Sequence, residues 1–152
     1  YQILDLLTNI DCKDKIVMDA GCGTGVLAIM AKLKGAKLVE AFDIDDWCID
    51  NSQENFNLND CNNCHVQLGA IAQLHFDSEF DIIIANINKN VLLEEMKYYE
   101  KLLAEDGVLV LSGFYELDLA DITAKAQNLG LSTTSQNTRN TWAMLHLKRQ
   151  LI

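Results

Sequence analysis

Three short segments carry side chains suited to chemistry: Asp19-Ala20-Gly21-Cys22-Gly23-Thr24-Gly25, Asp43-Ile44-Asp45 and Asn86-Ile87-Asn88. The first has the outline of a nucleotide loop. A dinucleotide fingerprint, G-x-G-x-x-G, aims bare amides and a helix N-terminus at a pyrophosphate. Here the spacing is G-x-G-x-G, Val26 stands where the last glycine would fall, and Asp19 lies two residues upstream of Gly21. A carboxylate beside such a loop repels a diphosphate and attracts a cation.

S-adenosylmethionine carries a sulfonium and an ammonium and no phosphate, so Asp19 favours it over a dinucleotide. Gly21 and Gly23 would let the backbone approach its amino-acid tail without a Cβ in the way. Thr24 is expected to cap the helix that follows. Asp43 lies 22 residues after Gly21, close to the interval at which an acid accepts hydrogen bonds from ribose hydroxyls. Both cofactor classes share that feature. Ile44 is a candidate for packing against adenine, and Asp45 is suited to a helix start.

These segments need a frame that brings them together. Ile3, Leu6, Leu7 and Ile10 keep helical spacing, as do Val26, Leu27, Ile29, Met30 and Leu33 before Gly35. The patterns predict further helices over Trp47–Leu58, from Leu92 through Met96 and Tyr99 to Leu103, and over Leu119–Leu129. Short apolar runs predict strands at Ile16–Met18, Leu38–Phe42, Val66–Leu68, Asp81–Ala85 and Val108–Leu111. Alternating strands and helices give a parallel sheet covered on both faces. Two late segments, Leu131–Thr134 and Trp142–Leu147, have no helix between them and predict an antiparallel hairpin at one edge. The fold class is α/β, an open three-layer sandwich. In such sheets ligands bind outside the carboxyl ends of the strands, where strand order reverses. All three segments fall there.

The 152 residues include 12 basic and 22 acidic side chains, a formal charge of −10. Nucleic-acid binding draws on basic patches, and no such patch is evident, so direct nucleic-acid binding is not expected. The charge suits a cationic partner. No apolar run approaches the ~18 residues of a membrane span, so no membrane role is expected. Five cysteines without framework spacing point to a reducing compartment and hence the cytoplasm.

Val17 to Gly25 with Asp43-Ile44-Asp45 resembles the cofactor site of class I S-adenosylmethionine-dependent methyltransferases. Ala85-Asn86-Ile87, the run Gly107 to Gly113, and Thr141-Trp142-Ala143 make the sequence similar, over nearly its whole length, to the ribosomal-protein methyltransferase A family. That resemblance implies a Rossmann-like α/β/α fold with a seven-stranded, mostly parallel sheet whose last strand is antiparallel. It implies that Gly21, Asp43 and Asn86 contact the cofactor, and that the acceptor is an amino group of a basic ribosomal protein of the large-subunit stalk. The family carries a substrate-recognition domain and a Gly/His/Thr-rich loop ahead of this region. Neither is in this sequence, so residues 1–152 are expected to be the S-adenosylmethionine-binding catalytic domain alone. Related enzymes that methylate planar nitrogens place Asn-Pro-Pro-aromatic after the fourth strand. Asn86 is followed by Ile87 and Asn88, and the chain has no proline, which disfavours such substrates.

For a lysine or α-amine acceptor, Asn86 is the candidate catalytic residue, its carbonyl orienting the neutral amine; otherwise it simply ends a strand and bonds local backbone. Two other functions remain open from the residues: methylation of a small metabolite amine, and a non-catalytic nucleotide-binding module. Cys61-Asn62-Asn63-Cys64-His65 matches a haem-attachment pattern literally, but it falls in a helix-to-strand connection and is discounted. No metal set has supporting spacing among Cys12, His75 and His146. Cys22 is read as a packing residue, Trp47 and Trp142 as core, and Lys148-Arg149 as a solvated chain end.

Overall fold

The computed structural model describes residues 2–151, with the backbone alone for Gln2, Ile3 and Leu6. Seven strands form one sheet: β1 (Ile16–Ala20), β2 (Leu38–Asp43), β3 (Cys64–Leu68), β4 (Phe80–Asn86), β5 (Leu103–Tyr115), β6 (Leu131–Arg139) and β7 (Trp142–Arg149). Their order is β3-β2-β1-β4-β5-β7-β6. Strands β1 to β5 pair in parallel, and β7 runs antiparallel to both of its neighbours. The helices are α1 (Gln2–Asn9), α2 (Val26–Leu33), α3 (Asp46–Leu58), α4 (Lys89–Leu102) and α5 (Leu119–Asn128).

The central strands are apolar along most of their length because both faces are covered. Val17, Ile82 and Ile84 pack on one side with Ala28 and Ala31 of α2, Phe56 of α3 and Leu7 of α1. Met18, Ile83 and Leu109 pack on the other with Leu92, Met96 and Tyr99 of α4 and Ile122 of α5. Each fully buried aliphatic side chain of this kind stabilises the fold by roughly 1.5–3 kcal/mol. Of the stripe expected to bury the first helix, Leu7 is fully buried, while the side chains of Ile3 and Leu6 lie outside the described residues.

The chain steps outward from β1 through α2 and α3 to β3, then returns to the far side of β1 as β4. Strand order therefore reverses between β1 and β4, and their carboxyl ends frame a crevice.

The elements differ from expectation mainly at their ends. Strand β5 extends from Leu103 to Tyr115, well beyond Val108–Leu111; its register against β4 shifts between Phe80 and Ile82. The charged pair Glu105-Asp106 hides the early part of that strand from a reading based on apolar runs. Strand β6 continues past Thr134 to Arg139 through an exposed, polar sequence. It lies at the sheet edge, and β7 supplies its hydrogen-bonding ladder. A polar edge strand resists pairing with other chains, and it reads as loop for the same reason.

Three expectations are corrected. Trp47 and Trp142 are not core, being 62% and 44% exposed. Arg149 is not a solvated tail: its guanidinium pairs with the Glu100 carboxylate and donates to the carbonyls of Glu100 (2.6 Å) and Leu103 (2.8 Å). Thr24 does not cap α2. Gly25, with φ +80°, occupies the N-cap position and makes no side-chain cap bond.

Candidate functional site

The cap that Thr24 does not provide comes from β1. Asp19 is fully buried, and its Oδ2 accepts from the Ala28 amide in the first turn of α2 at 3.1 Å. This places a carboxylate at the helix N-terminus, where a phosphate would sit in a dinucleotide site. Its other oxygen, Oδ1, is buried without a hydrogen-bond partner among the described residues. Desolvation pushes the Asp19 carboxyl up to about 7; the Ala28 amide opposes that rise, and the charge on Asp43 adds to it.

The glycine loop after β1 is held from two sides. The Gly23 amide donates to Asp43 Oδ2 at 2.9 Å, and the Cys22 amide donates to the Phe42 carbonyl at 3.0 Å, so the end of β2 fixes one flank. From α3, Ser52 Oγ donates to the Gly23 carbonyl and Asn55 Nδ2 donates to the Thr24 carbonyl, both at 2.8 Å. Gly21 and Gly23 both have positive φ, but their surroundings differ. A Cβ at Gly21 would come within 2.6 Å of Ile87 Cγ2, whereas at Gly23 nothing lies within 4 Å. The space beside Gly21 is thus filled by the residue after Asn86, and the approach beside Gly23 is open. Burial drives the Cys22 thiol up to about 12, with a partly offsetting hydrogen bond to Ser52, so it packs and does not act as a nucleophile.

Asp43 also accepts from the Asp45 amide through Oδ1 at 3.1 Å. Each carboxylate oxygen has two acceptor sites, which leaves capacity for ligand hydroxyls. Asp45 caps α3, accepting from the Trp47 amide at 3.0 Å. Asp43, Ile44, Asp45, Asp46, Cys48 and Leu68 line an open groove of about 660 Å³. Ile44 is 76% exposed, and Leu68 at the end of β3 is bared as well. Two uncovered aliphatic side chains beside a carboxylate suit a planar ring attached to a sugar. Leu68 was not singled out from sequence, because only the pairing of β2 with β3, Asp43 opposite Leu68, brings it here.

On the other side of the crevice, Asn86 ends β4 with its side chain exposed. Its Oδ1 accepts from Ser112 Oγ at 2.9 Å; Ser112 lies opposite it on β5 and is buried. Asn86 therefore bonds a neighbouring strand's side chain. Asn88 caps α4, accepting from Val91 at 3.1 Å. Farther along the same sheet edge, Tyr115 and Trp142 stack with ring centroids 4.4 Å apart, both partly exposed. Such faces attract cationic side chains. Ser112 and Tyr115 carried no sequence signal of their own; strand register alone reveals them.

The discounted cysteine pattern stays apart from this site. Cys61 and Cys64 are buried, and desolvation raises the Cys64 thiol to about 12, with neighbouring Cys61 adding to the rise. His75 is exposed beside Asp77, and His146 is half-buried in β7. Among the described residues no helix is long and apolar enough to cross a membrane.

The model of the ribosomal protein L11 methyltransferase (PrmA) family matches residues 2–150. The chain belongs to this family. It is 46% identical over 143 residues to the ribosomal protein L11 methyltransferase of Porphyromonas gingivalis, an alignment covering 94% of this chain and 49% of that relative. The chain spans about half the length of the curated relatives it matches. The crystal structure of ribosomal protein L11 methylase from Lactobacillus delbrueckii subsp. bulgaricus superposes with a TM-score of 0.92 at 31% identity, covering 99% of this chain and 78% of that one. Magnesium protoporphyrin IX methyltransferase from Synechocystis PCC 6803, solved with bound SAM, shares the fold at a TM-score of 0.79 and 22% identity, over 98% of this chain and 77% of that one. The fold is the Rossmann-like α/β/α sandwich of methyltransferases, with its seven-stranded, mostly parallel sheet.

Proposed function

We propose that this chain is the catalytic part of a ribosomal protein L11 methyltransferase, moving methyl groups from S-adenosylmethionine to amino groups of L11 in the cytoplasm. The observation that carries the reading is Asp19. A buried carboxylate already occupies the N-terminus of α2, and among the described residues its second oxygen has no hydrogen-bond partner. A diphosphate would meet that charge at close range, while a cation would relieve it.

The residues fit the cofactor part by part. The charge of Asp19, buried behind the loop, favours an ammonium on the loop's far side, and the open side of Gly23 admits an amino-acid tail. Asp43 accepts from ribose hydroxyls. Ile44 and Leu68 flank the adenine, and the backbone at Asn86 borders the sulfur end. When bound, S-adenosylmethionine supplies a methyl group activated by the positive sulfur.

The protein's part in transfer is alignment, since an in-line displacement gains most from holding the reactants at attack distance. An amine attacks only when neutral, and a free lysine has a pKa of ~10.4. Asn86 Oδ1 accepts an N–H of the neutral amine and so directs its lone pair toward the crevice. A carbonyl acceptor selects the amine in this way without adding a further negative charge to those of Asp19 and Asp43. The exposed faces of Tyr115 and Trp142 and the net charge of −10 favour a basic protein as acceptor.

The test is transfer of isotope-labelled methyl from S-adenosylmethionine to purified L11. Label in L11 lysines or its α-amine is expected. Label absent from L11 but present in a small-amine pool would overturn the substrate assignment, and absence from both would overturn the activity.

A further inference from the structure

We propose that Ser112 is a positioning residue for methyl transfer, its buried hydroxyl holding the Asn86 amide against β5 in the place where it meets the acceptor amine. This rests on the role given to Asn86 above. Asn86 is exposed at the end of its strand. Ser112 is only 5% exposed, and its Oγ lies 2.9 Å from Asn86 Oδ1. Donation from this buried hydroxyl pins the amide against β5 and engages one of the two lone pairs of Oδ1, the second remaining able to accept an N–H.

The surrounding backbone tightens the arrangement. The Ile87 amide donates to the Ser112 carbonyl at 3.1 Å. Next to it, Gly113 has φ +89°, and a Cβ there would lie 2.8 Å from the Ile87 nitrogen and oxygen and 3.0 Å from Asn86 Oδ1. Glycine is thus required at 113 for β5 to close against the Asn86-Ile87 segment. Ile87 in turn fills the space beside Gly21, so the acceptor side is registered against the cofactor loop. Among the described residues, Ser112 is the side chain that hydrogen-bonds the Asn86 amide.

The experiment compares Ser112→Ala, Ser112→Thr, Ser112→Cys, Asn86→Ala and the Asn86→Ala/Ser112→Ala double variant, using S-adenosylmethionine and purified L11. Ser112→Ala is expected to lower kcat about tenfold, the scale of one lost hydrogen bond in an aligned complex. The KM for L11 and the affinity for S-adenosylhomocysteine should change less than twofold. Ser112→Thr, which keeps the hydroxyl, should restore turnover; Ser112→Cys, a weak donor of similar size, should behave like alanine. The double variant should be no slower than Asn86→Ala alone. In 15N–1H spectra without ligand, the Asn86 side-chain NH2 pair should shift in Ser112→Ala and return in Ser112→Thr. Full kcat in Ser112→Ala, or losses that multiply in the double variant, would overturn the proposal. If Asn86→Ala is crippled while Ser112→Ala is not, only this proposal fails; if Asn86→Ala turns over normally, the reading of Asn86 fails with it.

Discussion

The carboxyl end of the sheet is built in two ways on the two sides of the crevice between β1 and β4. On the β1–β2–β3 side, carboxylates are locked to backbone amides: Asp19 to Ala28, and Asp43 to Gly23 and Asp45. The acids are placed there before any ligand arrives, in the way preorganised sites favour a cation, and Asp19 carries its charge as pH rises through about 7. On the β4–β5–β7 side the groups touching Asn86 are neutral, and the acids beyond them, Asp118 and Asp121, pair with Lys89. An amide held by a hydroxyl and a pair of stacked aromatic rings line that side. The contrast separates two tasks. On the proposed reading, one half holds a charged nucleoside and the other presents an amine without its proton, for which a fixed, unpaired carboxylate would be counterproductive because it favours the protonated form.

Substitutions on the charged side should change binding, and those on the neutral side should change turnover. The largest binding effect is expected at Asp43, which holds the loop and, on the proposed reading, accepts from the ligand hydroxyls. Asp43→Ala should weaken S-adenosylhomocysteine binding by ~1.5–3 kcal/mol, the scale for charge-assisted hydrogen bonds, as read by calorimetry. An unchanged affinity would remove Asp43 from the cofactor site and blur the division.

Asp19 should give a smaller effect that carries the sign of its protonation. Its carboxyl is held near 7 in the fold, against 3.8 when free. Between these values the unfolded chain has released the proton and the folded one retains it, so this group's contribution to stability falls as pH rises from about 4 to about 7 and is level above. Asp19→Asn should flatten that part of the melting profile. In the wild type, affinity for the cationic ligand should strengthen as pH rises through about 7, because the ionised carboxylate favours the ligand's positive charge; in Asp19→Asn that dependence should disappear. Parallel pH profiles in the two proteins would show that Asp19 does not act on the ligand.

The same division explains what the sequence made legible. The charged side is encoded locally: glycines and acids at strand ends, with Gly21 and Asp43 at a telling interval, so loop, cofactor class and fold all follow from spacing. The neutral side is assembled from residues far apart in the chain. Ser112 reaches Asn86 only because β4 and β5 pair with those two opposite each other, and Trp142 meets Tyr115 only through the β5–β7 register. Trp142 and Trp47 were expected inside because large aromatics usually contribute burial, yet one stacks at the rim and the other stands on an exposed helix start. Thr24 was the natural cap by type, but a carboxylate from β1 reached the helix first. Arg149 gave no local sign that the carbonyls ending α4 would hold it.

The most direct test of the central claim, that a buried carboxylate at the start of α2 reserves this crevice for a cationic sulfur nucleoside, is calorimetric titration of the purified protein with S-adenosylmethionine and, separately, with NAD+. Saturable one-to-one binding of S-adenosylmethionine is expected, with no heat from NAD+ at the same concentrations. Equal or tighter binding of NAD+, or no binding of S-adenosylmethionine, would contradict it.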